Sequence, residues 1–266
     1  MSPQATDDRE DLVRSVWSGY WKDHAAAIPE WDTLSEIILA RLEKEAAPLS
    51  GKVICEAGCG SGRISQRLHA AGATVVCMDI AEEALSLSRN VIGESDTARF
   101  QLGSILSIRE RAVYDVVWNA GVLEHFRPDQ QQVALDQFRL ALKPHGRAII
   151  LTPYSRSLPY RFGKWMMERR GSWPYGPEVP VSTLRPVLPV GVNLKEEFTI
   201  AFLPFFLDVD KIVGKLAPIC RLLRAFALRF DKRTLRRIDR MFSALFGGYL
   251  LVSVIDRHGP PRPASP

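Results

Sequence analysis

Val53-Ile54-Cys55-Glu56-Ala57-Gly58-Cys59-Gly60-Ser61-Gly62 decides how the rest of this chain is read. Val53 to Cys55 is an apolar run too short for a helix face but the right length for a buried strand. Glu56 closes it. Glycines then stand at alternate positions, and glycine is the residue that tolerates unusual φ/ψ or lets a ligand reach the backbone. Beyond Gly62, Ile64 and Leu68 are four apart, a helical spacing. Strand, glycine turn and helix N-terminus in this order make a cradle for a nucleotide-bearing ligand. A tight turn with no ligand is the alternative.

The dinucleotide fingerprint G-x-G-x-x-G needs a glycine at position 63, where Arg63 stands, so a nicotinamide dehydrogenase is disfavoured. Downstream, apolar runs alternate with helical stretches. Strands are expected at Thr74–Asp79, Arg99–Leu102, Tyr114–Asn119 and Arg147–Thr152. Helices are expected from Glu82 to Ile92 and from Gln130 to Leu142. This rhythm predicts an α/β fold: a Rossmann-like, doubly wound, seven-stranded, mostly parallel sheet with helices on both faces. Right-handed crossovers put the strand C-termini on one edge, where ligands bind. The last two strands are placed at Phe198–Phe202 and Gly248–Asp256.

Two helices precede the first strand. Residues to about Asp11 read as frayed. Leu12 to His24 then carries Trp17, Tyr20 and Trp21, three aromatics in five residues. Asp32-Thr33 with Glu36 reads as a capping box that opens a second helix. From Pro153 to about Val192 the rhythm breaks into a stretch of seven prolines and many aromatics, a long insertion after the fifth strand. Such loops on a ligand edge are usually functional. The organisation expected is 1–49 helical cover, 50–152 α/β core, 153–194 insertion, 195–257 completion of the sheet with basic helices, and 258–266 a loose tail.

With 266 residues, 46% hydrophobic and 24% charged, the chain can bury a full core. No run of about 18 apolar residues predicts a spanning helix. A polar N-terminus unlike a secretory signal, and four scattered cysteines, point to a reduced, cytoplasmic setting. Cys55 and Cys59 have no second Cys/His pair, so no metal is expected. Charge is uneven: Phe205 to Arg262 holds twelve Lys/Arg against five acids. Within it, residues 210–230 form an apolar stripe among Lys211, Lys215, Arg221, Arg224 and Arg229. That stripe is a candidate peripheral membrane helix, or a face packed on the sheet or on a homodimer partner.

E-x-G-x-G-x-G resembles motif I of the class I S-adenosylmethionine (SAM) methyltransferases. Asp115 to His125 (D-V-V-W-N-A-G-V-L-E-H) resembles the strand-four motif of their small-molecule members. Leu140 to Gly146 (L-A-L-K-P-H-G) resembles their L-K-P-G-G turn, with His145 in place of the first glycine and Gly146 expected to supply φ > 0. The resemblance covers about residues 50–152. It implies SAM as cofactor and a small organic acceptor. Gly58, Gly60 and Gly62 would pass beside the cofactor and Glu56 would orient its ammonium. Asp79 would accept the ribose hydroxyls and Ile80 would pack on adenine. Ser104 and Ile105 would stand near adenine, and Asn119 and Ala120 near the methionine moiety.

A hydroxyl acceptor gains from a general base. His125 is the first candidate, with a capping role as its alternative; His24 is the second. Tyr20, Trp21, Tyr154 and Trp165 are the expected pocket walls. Oxygen is favoured over nitrogen as the methylated atom. A lipophilic quinone or lipid acceptor and a non-catalytic SAM-binding protein are the rivals. Nucleic acid is not expected, since Asn119-Ala120-Gly121-Val122 lacks the Asn/Asp-Pro-Pro-aromatic motif of DNA amino-methyltransferases.

Overall fold

A computed structural model describes residues 4–24, 31–203 and 231–257, with Pro218, Leu222 and Arg229. Apart from those three residues, the helix expected over 210–230 lies outside the described residues, as does the tail beyond 257. Seven strands form one sheet: β1 Val53–Ala57, β2 Thr74–Asp79, β3 Ala98–Leu102, β4 Tyr114–Ala120, β5 Leu142–Pro153, β6 Val192–Ile200 and β7 Leu250–Arg257. Their order is β3-β2-β1-β4-β5-β7-β6. β1 to β5 pair in parallel, whereas β7 runs antiparallel to both β5 and β6. The order reverses between β1 and β4, so the exits of those strands flank the crevice where α/β sheets take ligands.

Period-two alternation puts Val117 into the apolar layer on one face and Trp118 into the layer on the other. Helix α2 (Thr33–Ala46) and α3 (Arg63–Ala70) supply Ile38, Leu42, Ile64 and Leu68 to the Trp118 layer. Helix α5 (Pro128–Ala141) supplies Leu135 and Phe138 to the Val117 layer. Between these helices in sequence lies α4 (Glu82–Ile92), and α1 (Gln4–Asp23) precedes them all. The Asp32 carboxylate caps α2, accepting from the Ser35 N–H at 2.7 Å.

Three expectations are corrected. Helix α1 starts at Gln4, inside the stretch read as frayed; the Arg9 Nε–H donates to the His125 carbonyl at 2.7 Å and so ties this turn to the core. β6 starts at Val192 rather than Phe198. Its first half is a half-buried edge strand with polar Asn193, Lys195 and Glu196, so it shows no apolar run. In the turn after α5, His145 takes the positive φ (+64°), not Gly146. Gly146 serves close approach instead: a Cβ there would sit 2.9 Å from the Lys143 carbonyl and 3.1 Å from that of Tyr114.

Within the insertion, α6 (Leu158–Arg169) is followed by an irregular strap over 171–184. After β6 comes α7 (Lys232–Phe246). Among the described residues no helix is long and apolar enough to cross a membrane.

Candidate active site

The glycine turn is built by hydrogen bonds that only an unusual backbone can make. Gly58 and Cys59 both donate to the Met78 carbonyl, at 2.7 and 3.0 Å. Gly58, Gly60 and Gly62 all have positive φ (+88°, +52°, +68°). A Cβ on Gly58 would lie 2.4 Å from Val122 Cγ2, and one on Gly60 would lie 2.5 Å from Trp21 Cζ2. Asp79, at the exit of β2, fastens this turn. Its Oδ2 accepts the Gly60 N–H at 2.9 Å and its Oδ1 the Ala81 N–H at 3.0 Å. Burial pushes its carboxyl up, against the pull of these N–H groups.

Glu56 is also buried, and its Oε2 accepts from the Ser65 hydroxyl at 2.5 Å. Burial holds its carboxyl well above the ordinary range. Ser104 Oγ accepts the Leu106 N–H at 3.1 Å, which leaves its own hydroxyl hydrogen to give. Asn119 is fully buried, and neither atom of its side-chain amide has a hydrogen-bond partner among the described residues.

One cavity of about 380 Å³ lies along the strand exits. Glu56, Gly58, Gly60, Asp79, Ile80, Ser104 and Ile105 line one half. Ala120, at the exit of β4, belongs with these; His125 and Tyr20 line the other half, and Trp21 of α1 lies over Gly60. Four expected residues do not line it. Asn119 points away. Tyr154 bridges to Val181 and packs on Gly247. Trp165 is exposed on α6 beside Phe162, and His24 is exposed with its Nδ1–H donated to the Tyr20 carbonyl at 2.7 Å. In their place stand Trp17, Trp173, Tyr175, Tyr249 and Glu178. Aromatic richness in the insertion was visible in the sequence; which rings face inward was not. Glu178, a single acid between prolines, gave no signal.

Glu124, His125 and Glu178 meet at the second half. A 3-10 turn, Leu123–His125, carries the first two. The His125 Nδ1–H donates to the Pro177 carbonyl at 3.4 Å, and the ring stands edge-on to Trp17 at 5.4 Å. Its Nε2 lies 4.0 Å from Glu124 Oε1. Glu124 Oε2 has no hydrogen-bond partner among the described residues. Glu178 accepts from the Tyr160 hydroxyl and, at 2.9 Å, from Lys164, whose ammonium also lies 4.0 Å over the Trp173 ring. The strap is pinned where it matters: Val179 N–H donates to the Glu124 carbonyl at 2.6 Å.

Burial, with the nearby Glu178 charge, pushes the Glu124 carboxyl up to about 8. Burial holds the His125 imidazole down, so it is neutral at pH 7. Burial likewise pushes the Tyr175 phenol up to about 12. Donor atoms of the two acids and His125 lie within 4.8 Å of one another, a spacing a metal ion can bridge, but Lys164 already supplies a cation at Glu178.

Residues 54–146 match the family described as a methyltransferase domain. A ubiquinone biosynthesis O-methyltransferase from Xylella fastidiosa is 32% identical over 145 residues, 53% of this chain and 57% of that protein. The chain spans less than two thirds of the length of the curated relatives it matches first. Among solved structures, a magnesium protoporphyrin IX methyltransferase from Synechocystis PCC 6803 with bound S-adenosylhomocysteine (SAH) aligns with a TM-score of 0.54. It is 19% identical and covers 71% of this chain and 91% of that one. A [4+2]-cyclase aligns with a TM-score of 0.58 at 13% identity, covering 87% and 84%. These likenesses show the fold.

Proposed function

We propose that this protein, whose residues 54–146 match a methyltransferase domain, is a class I SAM-dependent enzyme that moves a methyl group from SAM to a hydroxyl oxygen of a small organic acceptor. The observation that carries this reading is the continuous cavity, which joins the glycine turn and Asp79 to the neutral His125. The residues fit the cofactor. Gly58 and Gly60 leave no room for side chains, so backbone lines the passage. Asp79 has two acceptor oxygens for ribose hydroxyls. Ile80, Ser104 and Ile105 would take the adenine end. Glu56 would face the ammonium, and Ala120 the methionine moiety. When bound, SAM supplies a methyl group on a sulfonium, a reactive centre that needs alignment more than activation.

The remaining chemistry belongs to the chain. Pro177 accepts the Nδ1–H of His125, so Nε2 is the basic atom of the neutral ring. Nε2 takes the acceptor's hydroxyl proton. Trp17, Tyr20, Tyr175 and Trp173 exclude water around it. The name of the Xylella relative supports oxygen as the methylated atom. Nitrogen remains the second choice of atom, and nucleic acid is no acceptor in this reading.

Calorimetric titration with SAH, with NAD as control, tests the first half of the proposal. SAH is expected to bind at micromolar concentration and NAD not at all. Transfer of labelled methyl from SAM to a panel of phenols and amines tests the second. Labelled phenols, with loss of labelling in His125→Gln, are the expected result. No SAH binding sinks the proposal, and SAH binding without transfer to any acceptor favours the non-catalytic rival.

A further inference from the structure

We propose that the outer face of α6, with the end of α7 beside it, is the surface on which this protein rests against an anionic lipid membrane. Helix α6 is amphipathic in an unexpected sense. Its inner face buries Tyr160 and Gly163. At about 100° per residue, Leu158, Phe162 and Trp165 fall within about 60° of one another on the opposite side. There they remain 68%, 45% and 48% exposed. Side chains of this kind are stabilised when covered, so a stripe of three left in water calls for a partner. Arg169 shares the stripe, its guanidinium 5.1 Å over the Trp165 ring, and exposed Arg161 flanks it.

A second element extends the patch. Gly247 packs so closely on Tyr154 that a Cβ would lie 3.0 Å from its ring, with the Arg156 carbonyl at 3.7 Å. The end of α7 therefore sits beside the start of α6, and its Leu245 and Phe246 are 68% and 50% exposed.

Charge selects the occupant. Arg156, Arg161 and Arg169 are all exposed around the apolar stripe, and the acid of α6, Glu168, is paired with Lys164 at 3.4 Å. Aromatic and aliphatic side chains ringed by arginines suit the boundary between acyl chains and anionic headgroups. A second copy suits it less, because a two-fold contact would set these arginines against one another. The placement is also functional. Tyr160 and Lys164, on the inner face of the same helix, hold Glu178 at the cavity. The acceptor half of the cavity thus lies about one helix diameter, ~10 Å, from the membrane surface. A lipophilic acceptor could pass between them without crossing water.

Vesicle sedimentation tests the proposal, and it needs no acceptor, so it stands or falls apart from methyl transfer. The protein is expected to bind phosphatidylglycerol vesicles at low salt, and phosphatidylcholine vesicles at least tenfold more weakly. Phe162→Ser with Trp165→Ser is expected to cut partitioning at least tenfold while SAH titration, which reports the fold, stays unchanged. Should that variant fold poorly, Arg161→Glu with Arg169→Glu alters only exposed charge and is expected to give the same loss. No binding to phosphatidylglycerol vesicles overturns the proposal. Undiminished binding in a folded variant also overturns it and moves the contact to another segment. A wild-type dimer that Phe162→Ser with Trp165→Ser splits into monomers gives the patch to a second copy instead.

Discussion

The two halves of the cavity are made from different kinds of chain. In the cofactor half, each residue stands at a strand exit, and its position follows from the strand before it. The glycine turn leaves β1, Asp79 ends β2, and Ser104 follows β3. In the acceptor half, the Glu124–His125 turn is held by partners far away in sequence. Arg9 reaches the His125 carbonyl and Val179 the Glu124 carbonyl. The cofactor half is the fold's own crevice, and the acceptor half is assembled onto it by α1 and the strap. The first half should therefore be brittle to backbone changes, and the second should answer to changes of charge.

Gly58→Ala should do the most damage. A positive φ costs an alanine ~1–2 kcal/mol, and a methyl 2.4 Å from Val122 Cγ2 adds ~1–3 kcal/mol. Urea unfolding should show both losses. Adding Val122→Ala should return only the steric part, so full recovery would mean the backbone is not strained there.

Asp79→Ala should weaken SAH binding by about 2–4 kcal/mol, the worth of one or two charge-assisted hydrogen bonds. It also releases the Gly60 N–H. Unchanged affinity in titration would remove Asp79 from the cofactor half.

Glu124→Gln probes the other half through pH. The carboxyl sits at about 8 in the folded protein against 4.5 ordinarily. Between those values the folded state keeps a proton that the unfolded state releases. Its contribution is complete below about 4.5 and drains as pH climbs toward 8. Glutamine has nothing to titrate, so the variant should gain on the parent by roughly 1–3 kcal/mol between pH 5 and pH 8. Glu56 titrates in the same direction in both proteins and cancels. A constant gap between the two unfolding curves at both pH values would show that Glu124 is not buried as described.

His24→Ala should change SAH affinity and methyl transfer by less than about twofold, as surface changes do. A larger loss would bring the exposed end of α1 into the acceptor half.

The same division explains what the sequence revealed. Val53 to Gly62 and Asp79 could be read directly, because a buried strand and its exit turn write a local pattern of apolar run, acid and glycine. The start of α1 could not, since polar Gln4 to Asp11 is held by Arg9 contacts 116 and 168 residues away. The first half of β6 writes no apolar run, because an edge strand buries only alternate side chains. Tyr154 and Trp165 had the right chemistry for an acceptor wall and the wrong direction. Direction in an insertion is set by packing such as Tyr175 on Trp17, 5.8 Å apart, which no spacing rule encodes.

Helix α1 touches both halves at once. Trp21 lies on Gly60, while Trp17, one turn earlier, lies against His125. On the proposed function, one helix shared by two ligands couples their affinities. Whatever factor SAM adds to acceptor binding by settling this helix, the acceptor must return to SAM, because the two routes to the ternary complex close one thermodynamic cycle. The aromatic face of α1 is therefore an accounting link between the two substrates as well as a wall.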